Sequence, residues 1–187
     1  MAGRFGVLAL QGDFAKHIET LTSLGAQAIE VRRPSDLDDL EGLIIPGGES
    51  TVMGKLMARY GIDEALHRRA EQGMRVLGTC AGLILLAKRI EESDQPRLGL
   101  LDVTVRRNAY GRQIESFEAM VDVAPLKARV KGVFIRAPII TEAGAEAEPI
   151  ATLDGAIVGA RQGAITGIAF HPELTDDRRF HKWWVRG

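Results

Sequence analysis

The sequence predicts an α/β fold with a mostly parallel sheet, helices on both faces and an antiparallel annex in the second half. Two observations carry this prediction. In the first half, short apolar runs alternate with amphipathic segments, a pattern typical of parallel strands covered by helices. After Ile90, strand-like runs follow one another without segments long enough for crossover helices, which indicates antiparallel pairing.

The individual elements follow from these patterns in chain order. The strands predicted in the first half are "RFGVLALQG", "AQAIEVRR", "DLEGLIIPGG" and "MRVLGTC". The predicted helices are "AKHIETLTSLG", a region over 50–73 interrupted at Gly61, and "AGLILLAKRI". The second half predicts strands in "LGLLDVTVRRN", "ESFEAMVDVA" and "GVFIRAPIIT", hairpin turns at Asp154-Gly155 and Gln162-Gly163, and a closing helix in "DDRRFHKWWV". No repeat or linker interrupts the chain, so we expect one domain over 1–187.

Composition and charge argue against several classes of protein. The chain has 187 residues, of which 45% are apolar and 26% charged, and its net charge is −1. This balance gives no electrostatic basis for binding nucleic acid or an anionic membrane, and the basic tail "RRFHKWWVRG" is interpreted as a solvated helix face. No run approaches the roughly 18 apolar residues of a membrane span. A single cysteine forms no internal disulfide and no paired metal-ligand spacing is present, so we expect a cytoplasmic protein without a metal.

Cys80 stands in the stretch Gly78-Thr79-Cys80-Ala81-Gly82, between a predicted strand and a predicted helix. A nucleophile raised above a parallel sheet needs a tight turn with glycines two residues before and after it, as in the G-x-S-x-G elbow of hydrolases. A helix N-terminus favours the thiolate, and the Ala81 N–H would face a substrate oxyanion. A lone cysteine is otherwise a small buried apolar residue, and the elbow leaves both interpretations open.

His171 ends the apolar run "ITGIAF" at the predicted carboxyl edge of the sheet, where ligand sites collect. Glu173 follows two residues later, so in extended backbone it would project to the same side and orient the imidazole. The simpler alternative is a histidine that caps a strand end. Beside the cysteine elbow, the same residues predict a triad of Cys80, His171 and Glu173.

The other three histidines are not predicted to be catalytic. His67 and His181 lie among charged residues and are expected at the surface. His17 lies on the first predicted helix, where a surface or interface role is expected.

A second glycine turn, Gly47-Gly48, follows the strand "LII". Adjacent glycines let the backbone aim an amide at a ligand, so the Gly48 N–H is predicted as the second oxyanion donor. The phosphate-loop alternative lacks the pattern G-x-x-x-x-G-K-[ST]. A plain helix start, capped by Ser50 or Thr51, is compatible with the functional interpretation.

In this order, "PGGEST", "GTCAG" and "HPE" resemble the class I glutamine amidotransferase family. Within it, "LALQGDFAKH", "RRNAYGRQIESFEA", "GVFIRAPII" and "FHPELTDD" are similar to the glutaminase subunits of pyridoxal phosphate synthase. The resemblance covers nearly the whole chain and implies a flavodoxin-like sheet. Members of that family generally continue into a longer C-terminal helix, so we expect a packing difference at that end and none at the site.

The resemblance also implies an activity, which is hydrolysis of L-glutamine to glutamate and ammonia through a γ-glutamyl thioester on Cys80. Glutamine would be held by residues of three segments: Gly48, Glu49 and Ser50; Arg107; Ile135 and Arg136. An arginine at such a site can clamp the α-carboxylate. The implied partner is a separate, barrel-shaped and oligomeric synthase subunit that receives the ammonia, and no cofactor is needed on this chain.

Two other functions are compatible with part of this pattern. A cysteine hydrolase or glyoxalase-like protein would share the elbow but would need neither the ending "HPE" nor "PGGES". A non-catalytic binding module that keeps the fold for assembly would be signalled by loss of Cys80 or Glu173, and both residues are present.

Overall fold

The computed structural model describes residues 3–110 and 116–187, which form twelve strands and five α-helices. The strands are β1 (Arg4–Leu8), β2 (Gln27–Val31), β3 (Gly42–Ile45), β4 (Arg75–Thr79), β5 (Ala87–Ile90), β6 (Leu101–Arg106), β7 (Ser116–Val123), β8 (Ala128–Ile135), β9 (Ile139–Ala143), β10 (Glu148–Leu153), β11 (Ala156–Gln162) and β12 (Ile165–Ile168). The helices are α1 (Phe14–Ser23), α2 (Ser50–Tyr60), α3 (Ile62–Glu71), α4 (Ala81–Leu86) and α5 (Arg179–Arg186). Residues 111–115, which include part of "RNAYGRQIESFEA" and the start of one predicted strand, lie outside the described residues.

The parallel part of the sheet has the strand order β2-β1-β3-β4-β12. This is the flavodoxin-like order 2-1-3-4-5 with β12 as the fifth strand, so the predicted fold class is confirmed. Apart from the edge strand β2, its strands are nearly all buried, because helices cover both faces. Successive residues of β4 show the two layers: Gly78 lies against α4, and the Thr79 hydroxyl reaches His17 on α1.

The antiparallel annex continues from β12 through β11, β10, β7 and β8. Both predicted hairpins are present, with turns after β10 at Asp154-Gly155 and after β11 at Gly163-Ala164. The predicted strand "GVFIRAPIIT" is divided between β8 and β9, because Arg136 takes a positive φ of 44° and ends the first of them.

One predicted helix was too long. The run "AGLILLAKRI" was expected to be helical throughout, but α4 ends at Leu86 and Ala87 turns to extended backbone. The remaining four residues form β5, which pairs in parallel with β6. Their backbone hydrogen bonds are therefore made to β6 instead of within a helix, a tertiary effect that local periodicity does not show.

The closing helix α5 has one buried and one solvated face. Phe180 and Trp184 are buried, and the Trp184 ring lies 5.5 Å from that of Phe5 on β1. Arg179, Lys182 and Arg186 are exposed, as the interpretation of the basic tail as a solvated face requires. Because α5 is buried against the sheet, its inward-facing residues lie behind the cavity at the edge of the sheet.

Candidate active site

A cavity of about 430 Å³ opens at the carboxyl ends of the parallel strands. Of the predicted site residues, only Glu173 does not line it. The nine that line it are Gly48, Glu49, Ser50, Cys80, Ala81, Arg107, Ile135, Arg136 and His171. They come from five separate segments of the chain. Three of these segments follow the parallel strands β3, β4 and β12, whose carboxyl ends meet at this edge, whereas Arg107 and Ile135-Arg136 lie at the ends of β6 and β8 in the annex.

Cys80 occupies the tight turn between β4 and α4. Its backbone has φ 50° and ψ −102°, which is unusual for a residue with a side chain. A Cβ on Gly78 would lie 2.5 Å from the backbone of Gly82, and a Cβ on Gly82 would lie 2.1 Å from the carbonyl oxygen of Ile45. Real Cβ atoms do not approach so closely, so the turn requires glycine at both positions. The structure thus has the elbow geometry that the spacing predicted.

His171 and Glu173 lie together behind the thiol. The Nδ1–H of His171 donates to Oε1 of Glu173 over 2.7 Å, and the His171 backbone N–H donates to the carbonyl of Val133. The expected extended backbone was wrong, because Pro172–Leu174 form a 3₁₀ turn. The carboxylate nevertheless reaches the ring, since this turn folds Glu173 back under His171.

The charges of this pair are set by their surroundings. Burial alone would lower the pKa of His171, but hydrogen bonds and charge from Cys80 and Glu173 outweigh it and raise that pKa to about 10. Burial alone would raise the pKa of Glu173, but the imidazoles of His17 and His171 hold it well below its usual range. The arrangement therefore favours an imidazolium beside the thiol and an ionised carboxylate behind it.

The Gly47-Gly48 turn packs directly on the imidazole. A Cβ on Gly47 would lie 2.3 Å from Cε1 of His171, so only glycine fits there. The helix that follows is capped differently from the expectation, which named Ser50 or Thr51. Its N-cap is Glu49, whose carboxylate accepts from the N–H groups of Thr51 and Val52. Glu49 therefore contributes to the site through its position at the cavity wall, while its carboxylate oxygens hold the helix start.

Arg107 is fixed at the cavity wall by a residue that sequence reasoning missed. Its Nη1–H donates to Oε1 of Gln95 over 2.8 Å, and the Gln95 amide donates to Oγ of Ser50 over 2.9 Å. Gln95 is 8% exposed. Its position in the loop before β6 gives no periodic signal, so only the tertiary structure identifies it.

The expectations for His17 and His181 were wrong, because both are fully buried. Nδ1 of His17 lies 3.2 Å from Nε2 of His181. Nε2 of His17 lies 3.3 Å from the Thr79 hydroxyl and 3.4 Å from Oε1 of Glu173. The sequence did contain a signal that His17 is buried. His17 precedes Leu21 by four residues, so the two side chains share the buried face of α1.

Within 3–110 and 116–187, no group of three or more His, Cys, Asp and Glu side chains is arranged to hold a metal ion. Among the helices in this part of the chain, none is long and apolar enough to cross a membrane.

Comparison with known proteins places the chain in a family. Residues 7–187 match the profile of the SNO glutamine amidotransferase family. The chain is 50% identical over 183 residues to the pyridoxal 5'-phosphate synthase subunit PdxT of Pelotomaculum thermopropionicum, covering 97% of this chain and 93% of that protein. A PdxT of a Geobacillus species is 50% identical over 182 residues, covering 97% and 95%.

A solved structure gives the same result in three dimensions. The crystal structure of a glutamine amidotransferase superposes with a TM-score of 0.94 at 49% identity, covering 97% of each chain. The elbow and the cavity at the sheet edge are consistent with these similarities in sequence and structure. The chain belongs to the SNO glutamine amidotransferase family.

Proposed function

We propose that this chain hydrolyses L-glutamine as the glutaminase subunit of a pyridoxal 5'-phosphate synthase, and that Cys80, His171 and Glu173 are its catalytic triad. The observation that carries the proposal is the Cys80 elbow facing a cavity backed by the 2.7 Å contact between His171 and Glu173. The printed names of the relatives, which are subunits of that synthase, support the pathway.

The reaction begins with binding of glutamine in the cavity. Arg107, held in place by Gln95, clamps the α-carboxylate through its other guanidinium N–H groups. The cavity walls at Gly48–Ser50 and at Ile135 and Arg136 surround the rest of the amino acid. Binding in this orientation brings the side-chain carboxamide to Cys80.

Acylation follows. The Cys80 thiolate attacks the carboxamide carbon, and the carbonyl π electrons move to its oxygen, which the N–H groups of Gly48 and Ala81 stabilise. His171, as the imidazolium, gives its proton to the nitrogen as the C–N bond breaks. Ammonia leaves, and a γ-glutamyl thioester remains on Cys80.

Deacylation returns the enzyme to its first state. Neutral His171 takes a proton from water, the resulting hydroxide adds to the thioester carbon, and the C–S bond breaks to release glutamate and the thiolate. Glu173 keeps Nδ1 of His171 protonated and stabilises the imidazolium formed in this step. No metal or cofactor takes part in this sequence.

The product ammonia passes to a synthase subunit, which we propose is a separate, barrel-shaped and oligomeric protein. The glutaminase then acts as one domain over 1–187. With one cysteine it forms no internal disulfide, in keeping with a cytoplasmic location.

Cys80→Ala tests the nucleophile. We expect complete loss of glutamate release with folding retained, because the change removes only the sulfur atom. A glutamine-like diazoketone should add one mass increment to the native chain and none to Cys80→Ala, as read by mass spectrometry of the intact protein. Turnover retained in Cys80→Ala would overturn the triad.

Glu173→Ala tests the orienting group. We expect turnover to fall by roughly 10²–10⁴-fold, as in other triads whose histidine loses its carboxylate, and His171→Ala should fall further. Steady-state glutamate release with the synthase present measures this. Rates near those of the unaltered chain in Glu173→Ala would reduce Glu173 to a structural role.

A further inference from the structure

The carboxylate of Glu173 is buried with few partners. Its side chain is fully buried, and two imidazoles approach Oε1: His171 at 2.7 Å and His17 at 3.4 Å. Oε2 has no hydrogen-bond partner among the described residues. Because a buried charge is costly unless it is paired, the ionised state and the orientation of this group depend, within the described residues, on those two rings. His171 changes its charge during the proposed reaction, whereas His17 transfers no proton in it.

The proton positions in this cluster follow from what each nitrogen faces. Nε2 of His17 faces a carboxylate oxygen and the Thr79 hydroxyl, so it carries its hydrogen, since a lone pair there would be repelled by Glu173. Nδ1 of His17 then accepts a hydrogen bond, and the donor to it is Nε2–H of His181, 3.2 Å away. This assignment leaves Nδ1 of His181, which has no partner among the described residues, as a bare acceptor.

The opposite assignment is less favourable. If Nδ1–H of His17 donated to His181, the hydrogen of neutral His181 would lie on Nδ1, as a buried N–H without an acceptor. His181 is neutral because burial lowers its pKa to about 3. The N–H groups therefore point in one direction: Nε2–H of His181 donates to Nδ1 of His17, and Nε2–H of His17 lies between the Thr79 hydroxyl at 3.3 Å and Oε1 of Glu173 at 3.4 Å.

The cluster joins elements that carry different parts of the site. His17 is on α1, His181 on α5 and Glu173 in the turn after β12, while Thr79 immediately precedes the nucleophile. All four side chains are buried. We propose that His17 is a positioning residue for the reaction: its Nε2–H, fixed from behind by His181, holds the Glu173 carboxylate against His171. This inference rests on the proposed triad.

Two substitutions at position 17 separate a hydrogen-bond role from a packing role. His17→Leu keeps an apolar side chain of similar size and removes the donor, whereas His17→Gln places an amide N–H near the position of Nε2. With the full chain and the synthase present, we expect His17→Leu to lower kcat by about 10–100-fold, as for a lost hydrogen bond to a charged group. KM for glutamine should change little, because His17 does not line the cavity, and His17→Gln should recover most of kcat.

Leu21→Ala is the matched control. Leu21 is fully buried on the same helix, four residues after His17, and its apolar side chain cannot form a hydrogen bond to the triad. It should lower the unfolding midpoint while kcat per folded chain stays unchanged. A loss of kcat in Leu21→Ala as large as in His17→Leu would attribute the effect to loosening of α1 and overturn the proposal.

A double-mutant cycle and a spectrum complete the test. If His17 acts through Glu173, His17→Leu should have no further effect on kcat in the Glu173→Ala background. The low-field proton resonance of the His171 Nδ1–H, identified by its loss in Glu173→Ala, should move in His17→Leu and stay in His17→Gln. Additive losses, or an unmoved resonance with full kcat in His17→Leu, would overturn the inference and leave the triad intact. Full kcat in Glu173→Ala would overturn the triad itself.

Discussion

Cys80 has a backbone conformation, φ 50° and ψ −102°, that costs a residue with a Cβ about 1–3 kcal/mol. The strand β4 and the helix α4 on either side of it are buried, so the surrounding fold imposes this conformation. The result is a thiol presented at the cavity with its neighbour Ala81 N–H at the start of a helix. At the scale of the residue, the fold accepts a strained backbone that places the proposed nucleophile at the cavity.

Cys80→Gly should therefore be more stable than Cys80→Ala. Glycine adopts a positive φ without the Cβ clash, so we expect the free energy of unfolding to be higher by about 1 kcal/mol. Denaturant unfolding of the two variants, both without glutaminase activity, measures the difference. Equal stabilities would mean that the turn relaxes when the sulfur is removed.

The ion pair of His171 and Glu173 predicts a pH dependence of stability. The pKa of Glu173 is lowered from 4.5, so its contribution is present above that value and lost as the pH falls. The pKa of His171 is raised from 6.5 to about 10, so its contribution is complete below 6.5 and lost as the pH rises towards 10. The difference in unfolding free energy between the native chain and Glu173→Gln should be largest between pH 4.5 and 6.5.

Urea unfolding of both proteins across and beyond this range measures that difference. A difference that does not change with pH would show that the pair is not ionised in the folded chain. His171→Gln serves as the second reference, because it removes the alkaline loss while leaving Glu173 in place.

At the scale of the element, the strand-to-helix turn around Cys80 depends on close backbone contact. Gly82→Ala would place a Cβ 2.1 Å from the Ile45 carbonyl. Since the obstacle is backbone, α4 must move, and we expect a loss of about 1–3 kcal/mol in the free energy of unfolding. Glutaminase activity should fall as well, because Ala81 and Cys80 shift with the helix.

Gly25→Ala is the control for this prediction. Gly25 has a positive φ of 81° but open space around its missing Cβ. We expect Gly25→Ala to lower the free energy of unfolding by about 1–2 kcal/mol, because alanine is strained at a positive φ. Glutaminase activity should not change. If Gly82→Ala proved as stable and active as the native chain, the close approach would not constrain the elbow.

The elements that could be predicted from the sequence are those with a strong local signal. The elbow at Cys80 and the hairpin at Asp154-Gly155 follow from glycine spacing and turn chemistry, which act over a few residues. The end of α4 at Leu86 could not be predicted, because the four residues after it pair with β6 in a tertiary contact. His17 was misplaced because a polar residue on a buried helix face needs partners, and its partner His181 is 164 residues away.

At the scale of the molecule, the sheet brings the loops after β1, β3, β4 and β12 to one edge. The loop after β1 contacts the Gly47-Gly48 turn directly. The Asp13 N–H donates to the carbonyl of Gly47 over 3.3 Å, and the Glu49 N–H donates to the Gln11 side chain over 2.8 Å. The peptide that carries the proposed second oxyanion donor is thus tied to a loop that lines the cavity. His17, for which a surface or interface role was expected from the sequence, is fully buried.

This coupling predicts that the isolated chain is a poor glutaminase and that the synthase activates it. Two adjacent glycines can rotate the peptide between them at little steric cost, so a partner that displaces the Gln11–Asp13 loop can change whether a carbonyl or an N–H faces the oxyanion. A well-placed N–H contributes about 3–4 kcal/mol, or roughly 10²–10³-fold in rate. Glutamate release at saturating glutamine should therefore rise by up to this factor as synthase is added and then reach a plateau. Cys80→Ala, assayed at each synthase concentration, gives the background. A flat response, with the free chain already at its full rate, would contradict the switch and leave a constitutive amidase whose oxyanion hole is fixed.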